Sequence, residues 1–404
     1  MKKVVLICNS DGALANFRAP LIRALVHAGH EVVTISPRSF YFDALKEMGA
    51  RTIEIEFSRH SASILRNLVL LRDLREILRR EQPDVVHSFT HKAVIFGSFA
   101  ARLAGVKKIL ATVTGLGTLF VPAGYRTRLL RQALVWQYRL LLPRHAKVLF
   151  QNPDDKQEME SLGAVVPSQS VLTNGSGIDL AEFSLPNRET TARARRMLAA
   201  EIGQNLEGKI VAIFPARGVP EKGFEDFYAA AGQLAKRLSD EYVFCHMGLV
   251  DTAAVGAFDA KQVTNFARKH GVHYLGYKTN PRDYLTAADI LVLPSYYREG
   301  VPRSLIEGLA LGKAIVSTDM PGCRETVLDG QNGYFCPARD RDGLAEVIAK
   351  IDSDFLVRAC AHSRRLCEKK FDVRKLNALT FDLYGFPQPT ELVQHSPQRM
   401  DLSP

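Results

Sequence analysis

Short extended segments alternate with amphipathic helical ones along this chain, stop, and then begin again. In the first run, residues 4–8, 31–36, 52–57, 85–89, 108–113 and 147–151 read as strands. Residues 17–28, 63–80 and 92–103 read as helices between them; in the first, Leu21, Ile22, Leu25 and Val26 share one face. Pro20 suits a first turn and Gly29 a stop. The alternation breaks over 175–208. It resumes with strands at 209–215, 242–247, 272–275, 289–293 and 314–317. Strand-helix alternation builds right-handed crossovers and parallel sheets, so the chain predicts two doubly wound α/β domains. A length of 404 residues accommodates two such domains. Open parallel sheets bind ligands beyond the carboxyl ends of their strands, and two facing sheets would make a cleft.

Composition excludes several classes. With 46% hydrophobic and 24% charged residues the chain is globular. No stretch has the ~18–20 apolar residues of a membrane-spanning helix. The opening Met1–Cys8 is a first strand rather than a signal peptide, since its apolar run ends at Asn9. Six scattered cysteines with no C-x-x-C pair fit neither a disulfide framework nor a zinc site, and read as reduced thiols of a cytoplasmic protein.

The net charge of +10 is unevenly placed. Residues 1–150 carry 23 Lys and Arg against 10 Asp and Glu, and the remainder 30 against 33. The first half therefore suits an anionic partner: nucleic acid, a membrane surface or a phosphate-bearing substrate. Arginines 126, 128, 131, 139 and 144 are interleaved with Leu129, Leu130, Leu134, Trp136 and Tyr138. That pattern fits a basic amphipathic helix on an anionic bilayer, or a helix packing its apolar face on the sheet. Nucleic acid is disfavoured, because the one compact aromatic group, Phe40-Tyr41-Phe42, lacks flanking lysines.

Three motifs can carry chemistry. Glu299-Gly300-Val301-Pro302-Arg303-Ser304-Leu305-Ile306-Glu307 follows a strand and opens a helix. Pro302 in the first helical turn would leave the amides of Arg303 and Ser304 at the helix start, a ready anion site. A carboxylate beside an anion is repelled by it, so Glu299 makes best sense as an acceptor for sugar hydroxyls. Arg217 and Lys222 in the segment 214–223 stand after another strand, where a guanidinium fork and an ammonium would hold a diphosphate. Asn174-Gly175-Ser176-Gly177-Ile178-Asp179 places two glycines for close backbone approach. Taken alone, each has a plain alternative: solvated glutamates, a basic surface loop, an interdomain turn. Asp340-Arg341-Asp342 and Asp352-Ser353-Asp354 sit at helix margins and are read as solvated helix ends, so no metal is expected. Gly115-Leu116-Gly117-Thr118-Leu119-Phe120 lacks the third glycine of a dinucleotide fingerprint.

Together, R-x4-K-G after a strand, E-G-V-P-x4-E before a helix, and the strings N-G-S-G-I-D and P-G-C-R-E-T-V-x-D-G-x-N-G (321–333) resemble the donor half of family 4 retaining glycosyltransferases of the GT-B fold. Phe17-Arg18, Phe57-Ser58-Arg59, His91-Lys92-Ala93 and Thr114-Gly115-Leu116-Gly117-x-x-Phe120 resemble bacterial transferases that add N-acetylgalactosamine to polyprenyl-diphosphate-linked saccharides. The resemblance implies an acceptor-binding domain over 1–170 with a C-terminal crossing helix near 372–385 and a donor-binding domain over 171–371; the tail over 386–404, rich in Pro, Gln and Ser from Pro387 and without periodicity, reads as disordered. Arg217 and Lys222 would hold the nucleotide diphosphate, with Gly300, Val301, Arg303 and Ser304 offering amides. Glu299 would bind the donor sugar and Glu307 the ribose. The base would lie along the backbone at Tyr277 and Lys278, and Gly12 would admit the diphosphate. Phe17, Arg18, His87, His91, Lys92, Gly115 and Gly117 fall to the acceptor side. Where many members carry a His near the donor sugar, this chain has Thr114. The implied enzyme is metal-independent, uses a UDP-sugar as co-substrate with no resident cofactor, and works at the inner face of the plasma membrane. A GDP-sugar transferase and a nucleotide-sugar epimerase or hydrolase are the alternatives.

Overall fold

The structure is a computed structural model and describes residues 1–57, 64–121, 124–238, 241–250 and 258–388. Ser58, Arg59 and the segment 389–404 of the expected tail lie outside them. The chain divides into two compact units, one of residues 1–177 with the segment from Val373, the other Ile178–Asp372.

The first unit is a seven-stranded parallel sheet. Its strands are β1 Lys3–Cys8, β2 Glu31–Ser36, β3 Arg51–Glu54, β4 Val85–Phe89, β5 Lys108–Val113, β6 Lys147–Phe150 and β7 Ser170–Leu172, in the order 3-2-1-4-5-6-7. Along β1, Val5 stands opposite Val33 of β2 and Val86 of β4. Successive side chains of a strand point to opposite faces. Val5 and Ile7 thus join one core with Leu70, Leu74, Val94 and Val135, under the helices Ile64–Glu81, His91–Leu103 and Tyr125–Leu141. Val4, Leu6 and Cys8 join another with Leu14, Leu21, Leu25 and Phe381. Both faces are covered, which is why the strands read as continuous apolar runs rather than alternating ones.

The second unit is a six-stranded parallel sheet of β8 Ile210–Phe214, β9 Tyr242–Met247, β10 Val272–Gly276, β11 Ile290–Leu293, β12 Ala314–Thr318 and β13 Gly333–Cys336, in the order 10-9-8-11-12-13. The order reverses between β1 and β4 in one sheet and between β8 and β11 in the other, which sets the binding crevice of each.

The elements differ from expectation in three places. The helix expected over 17–28 is two helices, Asp11–Phe17 and Ala19–His27, separated at Arg18 with φ −119° and ψ 0°. Pro20 would clash with the carbonyl of Asn16 in one continuous helix, and Ser10 caps the earlier piece by accepting from the Ala13 amide at 3.3 Å. The strands β7 and β13 stand where none was expected. Pairing of β7 with β6 carries the first unit on to Gly177, past the expected boundary at 170. Helix Val373–Tyr384 belongs to the first unit, and Phe386 beyond it stacks on His30 at 4.4 Å.

Candidate functional site

In the second unit, the loops leaving β8 and β11 converge at the switch point. The β8 loop carries Arg217, then a 3-10 turn Pro220–Lys222, then Gly223 and the helix Phe224–Arg237. The β11 loop carries Ser295 and Glu299 and opens the helix Arg303–Ala310. Residues far apart in sequence meet here: Lys222 Nζ pairs with Glu299 Oε1, and both are largely removed from solvent. Ser295 Oγ is 3.1 Å from the same carboxylate oxygen and 3.1 Å from the Glu221 carbonyl, and the Tyr296 amide donates to that carbonyl at 3.0 Å. The β11 loop is pinned from β12, where Ser317 Oγ donates to the Leu293 carbonyl at 2.7 Å.

Pro302 is the N-cap, at φ −60° and ψ 119°, one position before the expected first turn, and gives no side-chain cap. The helix start, with the amides of Arg303 and Ser304, lies beside Gly300 and Val301. Glu307 sits one turn on and accepts from Arg303 Nε at 3.0 Å. Burial pushes the Glu307 carboxyl up, against the pull of Arg303. A buried carboxylate with one charged partner is suited to accepting hydrogen bonds from hydroxyls.

Arg217 is set by a histidine that the sequence reading passed over. His246, at the end of β9, is buried between the Ala216 carbonyl, 2.9 Å from Nε2, and the Tyr228 hydroxyl, 2.9 Å from Nδ1. A carbonyl only accepts, so Nε2 carries the proton and Tyr228 donates to Nδ1. Burial lowers this imidazole to about 4. Glycines let the loops close up. A Cβ on Gly248 would stand 1.8 Å from the Ala216 carbonyl oxygen, and one on Gly322 2.3 Å from that of Gly300. Gly223, at φ +77°, would meet the Pro294 carbonyl oxygen at 2.2 Å. Gly223→Ala is therefore expected to cost about 3 kcal/mol in urea denaturation and to displace Lys222 and Ser295 together. A change under about 0.5 kcal/mol would refute the packing argument.

Tyr277 and Lys278 follow β10 in the second unit. Tyr277 is half exposed, while the Lys278 ammonium turns away to Glu201 at 2.6 Å and over the Tyr284 ring. Only the Lys278 backbone is left at the strand end.

In the first unit, Gly12 follows β1, its amide donating to the buried Asp11 carboxylate at 2.7 Å. Asp11 also accepts from the Ser39 amide at 2.8 Å and its hydroxyl at 2.5 Å. Phe17 is partly exposed, whereas Arg18 is 7% exposed, with its guanidinium 4.6 Å above the Phe89 ring. Arg18, Phe89 and His87 line a small cavity with Thr173, Ser176 and Asn377. His87 lies between the Tyr384 hydroxyl at 2.8 Å and Thr112 Oγ1 at 2.7 Å. His91 lies between the Tyr138 hydroxyl at 2.7 Å and the Gly115 carbonyl at 3.0 Å. Burial lowers His87 well below the usual imidazole range and His91 to about 4. Both nitrogens of each ring are thus engaged by the protein, so these rings tie elements together rather than present a nitrogen to an acceptor. His91 anchors the loop of Thr114, Gly115 and Gly117, the glycines at φ 127° and 72°. Burial also lowers the half-buried Lys92 ammonium. Asp340 and Asp352 cap the helices Arg341–Ala349 and Ser353–Lys370, accepting from Gly343 and Phe355 amides at 2.9 and 2.7 Å.

Known proteins resemble this chain in sequence and in fold. The signature described as "Glycosyl transferases group 1" matches residues 199–361, and "Glycosyl transferase 4-like domain" matches 12–175. An N,N'-diacetylbacillosaminyl-diphospho-undecaprenol alpha-1,3-N-acetylgalactosaminyltransferase of Campylobacter jejuni is 29% identical over 355 residues, 87% of this chain and 90% of that one. A UDP-Gal:alpha-D-GlcNAc-diphosphoundecaprenol alpha-1,3-galactosyltransferase of Escherichia coli is 24% identical over 72% of this chain and 74% of its own. Among solved structures, Anabaena HepE in complex with UDP-glucose superposes with TM-score 0.77 at 15% identity, over 95% of this chain and all of that one. Sucrose-phosphate synthase from Thermosynechococcus elongatus does so with TM-score 0.78 at 17% identity, over 95% and 98%. Two parallel-sheet units, each meeting its own half of this family's signature, make the chain a GT-B glycosyltransferase, with a 4-like first domain and a group 1 second domain.

Proposed function

We propose that this glycosyltransferase moves an N-acetylhexosamine from a UDP-sugar to a polyprenyl-diphosphate-linked saccharide, with retention of anomeric configuration and without a metal. The observation that carries this reading is the pairing of Lys222 with Glu299 at the switch point of the second sheet, on loops that also carry Arg217 and open the helix Arg303–Ala310. Two cations and a helix start stabilise the charge that grows on a leaving diphosphate. Glu299 takes donor-sugar hydroxyls, and Glu307 the ribose. The leaving phosphate takes the acceptor proton on the face it departs from, so no separate base is needed and Thr114 is tolerated. The relatives' undecaprenyl-diphosphate acceptors support the lipid-linked substrate class.

The acceptor half works at an anionic membrane, on the cytoplasmic face. Helix Tyr125–Leu141 buries Val135 and Tyr138 against the sheet and turns Tyr125, Leu129, Trp136 and Leu140 outward, 74%, 51%, 55% and 64% exposed. Exposed Arg126 and Arg128 flank that stripe. No Asp or Glu occurs between Asp84 and Asp154. One face of this helix is core, and the opposite face is apolar with a basic margin, as suits a helix lying on an anionic bilayer. No helix among the described residues is long and apolar enough to cross a membrane.

Calorimetric titration of UDP and GDP tests the donor site. UDP should bind, and Glu307→Ala should weaken it by ~1–3 kcal/mol. A preference for GDP would move the donor to a mannosyl or fucosyl type, and no binding by either would refute the reading. Sedimentation with phosphatidylglycerol vesicles tests the surface. Trp136→Ala with Leu140→Ala should lower the bound fraction about tenfold or more, since each buried large side chain contributes ~1.5–3 kcal/mol. Unchanged sedimentation would remove the membrane from this proposal.

A further inference from the structure

We propose that Asn9 is a ligand-binding residue of the first unit, presenting its side-chain N–H donors to an oxygen of the acceptor, and that Thr90 is the positioning residue that aims it. This deepens the transferase reading and rests on it.

Asn9 directly follows β1 and Thr90 directly follows β4, the neighbouring strands at which the order of the first sheet reverses. The crevice beyond such strand ends is where open parallel sheets hold ligands. Thr90 Oγ1 donates to Asn9 Oδ1 at 3.0 Å, and Cys8 Sγ approaches the same oxygen at 3.8 Å. With Oδ1 engaged, the amide's NH2 edge is the one left for a ligand, and it makes no hydrogen bond among the described residues.

Thr90 breaks two local rules to do this. It is the N-cap of helix His91–Leu103, where threonine ordinarily takes an extended backbone and turns its oxygen onto a first-turn amide. Here there is no such cap bond, and the hydroxyl goes to Asn9 instead. The backbone sits at φ 73° and ψ 151°, a region that is essentially glycine's and in which a β-branched residue is an outlier. Neighbours hold it there from both sides. The Thr90 amide donates to the Thr112 carbonyl at 3.2 Å, and the Val94 amide donates to the Thr90 carbonyl at 2.8 Å. Glycine would adopt this conformation without strain and is acceptable at an N-cap. What threonine supplies and glycine lacks is the hydroxyl that fixes the Asn9 amide.

A neutral group with two donors suits a hydroxyl or a phosphate oxygen, and a lipid-diphosphate-linked saccharide carries both. Two acceptor probes separate these sources: a short-chain prenyl-diphosphate-linked N-acetylhexosaminide and an octyl N-acetylhexosaminide. Transfer kinetics, UDP binding and thermal midpoints are measured for wild type, Asn9→Ala, Thr90→Gly and Thr90→Ser. Asn9→Ala and Thr90→Gly should raise the acceptor KM about tenfold, with UDP affinity within about twofold of wild type. Thr90→Gly should melt at the same temperature or higher, and Thr90→Ser should recover the acceptor KM. A loss seen with both probes assigns Asn9 to a sugar hydroxyl. A loss confined to the diphosphate probe assigns it to a phosphate oxygen. If Thr90→Gly melts lower, or either loss variant keeps a wild-type acceptor KM, the proposal is overturned while the transferase reading stands. If wild type binds UDP but uses neither probe, the acceptor reading falls and this proposal with it.

Discussion

Lys222→Ala is expected to lower kcat for transfer about 10²–10³-fold, the effect of removing one preorganised donor from a developing anion. Its second consequence follows from the pair with Glu299. Side-chain exposures of 18% and 11% leave little water to solvate either charge. Without the ammonium, the Glu299 carboxylate keeps the Ser295 hydroxyl at 3.1 Å, a neutral donor, in a place with little water. Breaking one side of such a pair costs up to about 3–5 kcal/mol. The single variant should therefore melt at lower temperature as well as lose activity. Lys222→Ala combined with Glu299→Gln should recover much of the stability, because the buried carboxylate charge that the ammonium offset is gone, and none of the activity. Steady-state kinetics with thermal melts on the two singles and the double separate these effects. A Lys222→Ala enzyme within about fivefold of wild-type kcat would sink the assignment of the diphosphate to this side chain.

The alternation of strand and helix was legible because both sheets are covered on both faces. Buried strands such as Val4–Ile7 then read as apolar runs, and the crossovers between them as helices. The misses have local causes. β7 and β13 are three and four residues long and only partly buried, too short for periodicity to separate them from loop. The helix Asp11–Phe17 has a readable start, Ser10 as N-cap and Asp11 in the first turn, but its seven residues ran into the Pro20 signal of its neighbour. In the site, strand ends located Arg217, Lys222 and Glu299, because ligand loops leave carboxyl edges. What no pattern of spacing shows is pairing across sequence. Lys222 meets Glu299, His246 sets the Arg217 loop, and Lys278 spends its charge on Glu201. Thr90 is the sharpest case, since nothing in T-H-K announces a threonine in a glycine conformation.

The protein is expected to unfold in mild acid. Three histidines are held neutral, each between a tyrosine hydroxyl and a second partner: His87 and His91 in the first unit, His246 in the second. In every case burial is the chief cause of the lowered pKa. Above an unfolded value of about 6.5, folded and unfolded chains are both neutral at these rings, and stability does not depend on pH through them. Below it the unfolded chain takes up protons that the folded rings refuse. Stability then falls with pH down to the folded values, about 4 for His91 and His246. Each such ring contributes a loss of about 1.4 kcal/mol per pH unit over that window. By about pH 4.5, His91 and His246 together remove roughly 5 kcal/mol, against a typical total of about 5–15 kcal/mol, and His87 adds in the same direction. Glu307 acts oppositely, because burial raises its carboxyl and the folded state then gains protons first as pH falls. It lies in the second unit, where burial also lowers His270 and His273, as it lowers His30 in the first. The single tryptophan, Trp136, belongs to the first unit and rides on the helix that supplies Tyr138 to His91. Its fluorescence reports the acid transition of the first unit. His91→Gln should make the pH slope of the tryptophan-detected transition shallower by about one ring's worth. Stability that stays flat between pH 6.5 and 5 would mean that these imidazoles protonate in place, which their doubly engaged nitrogens do not permit.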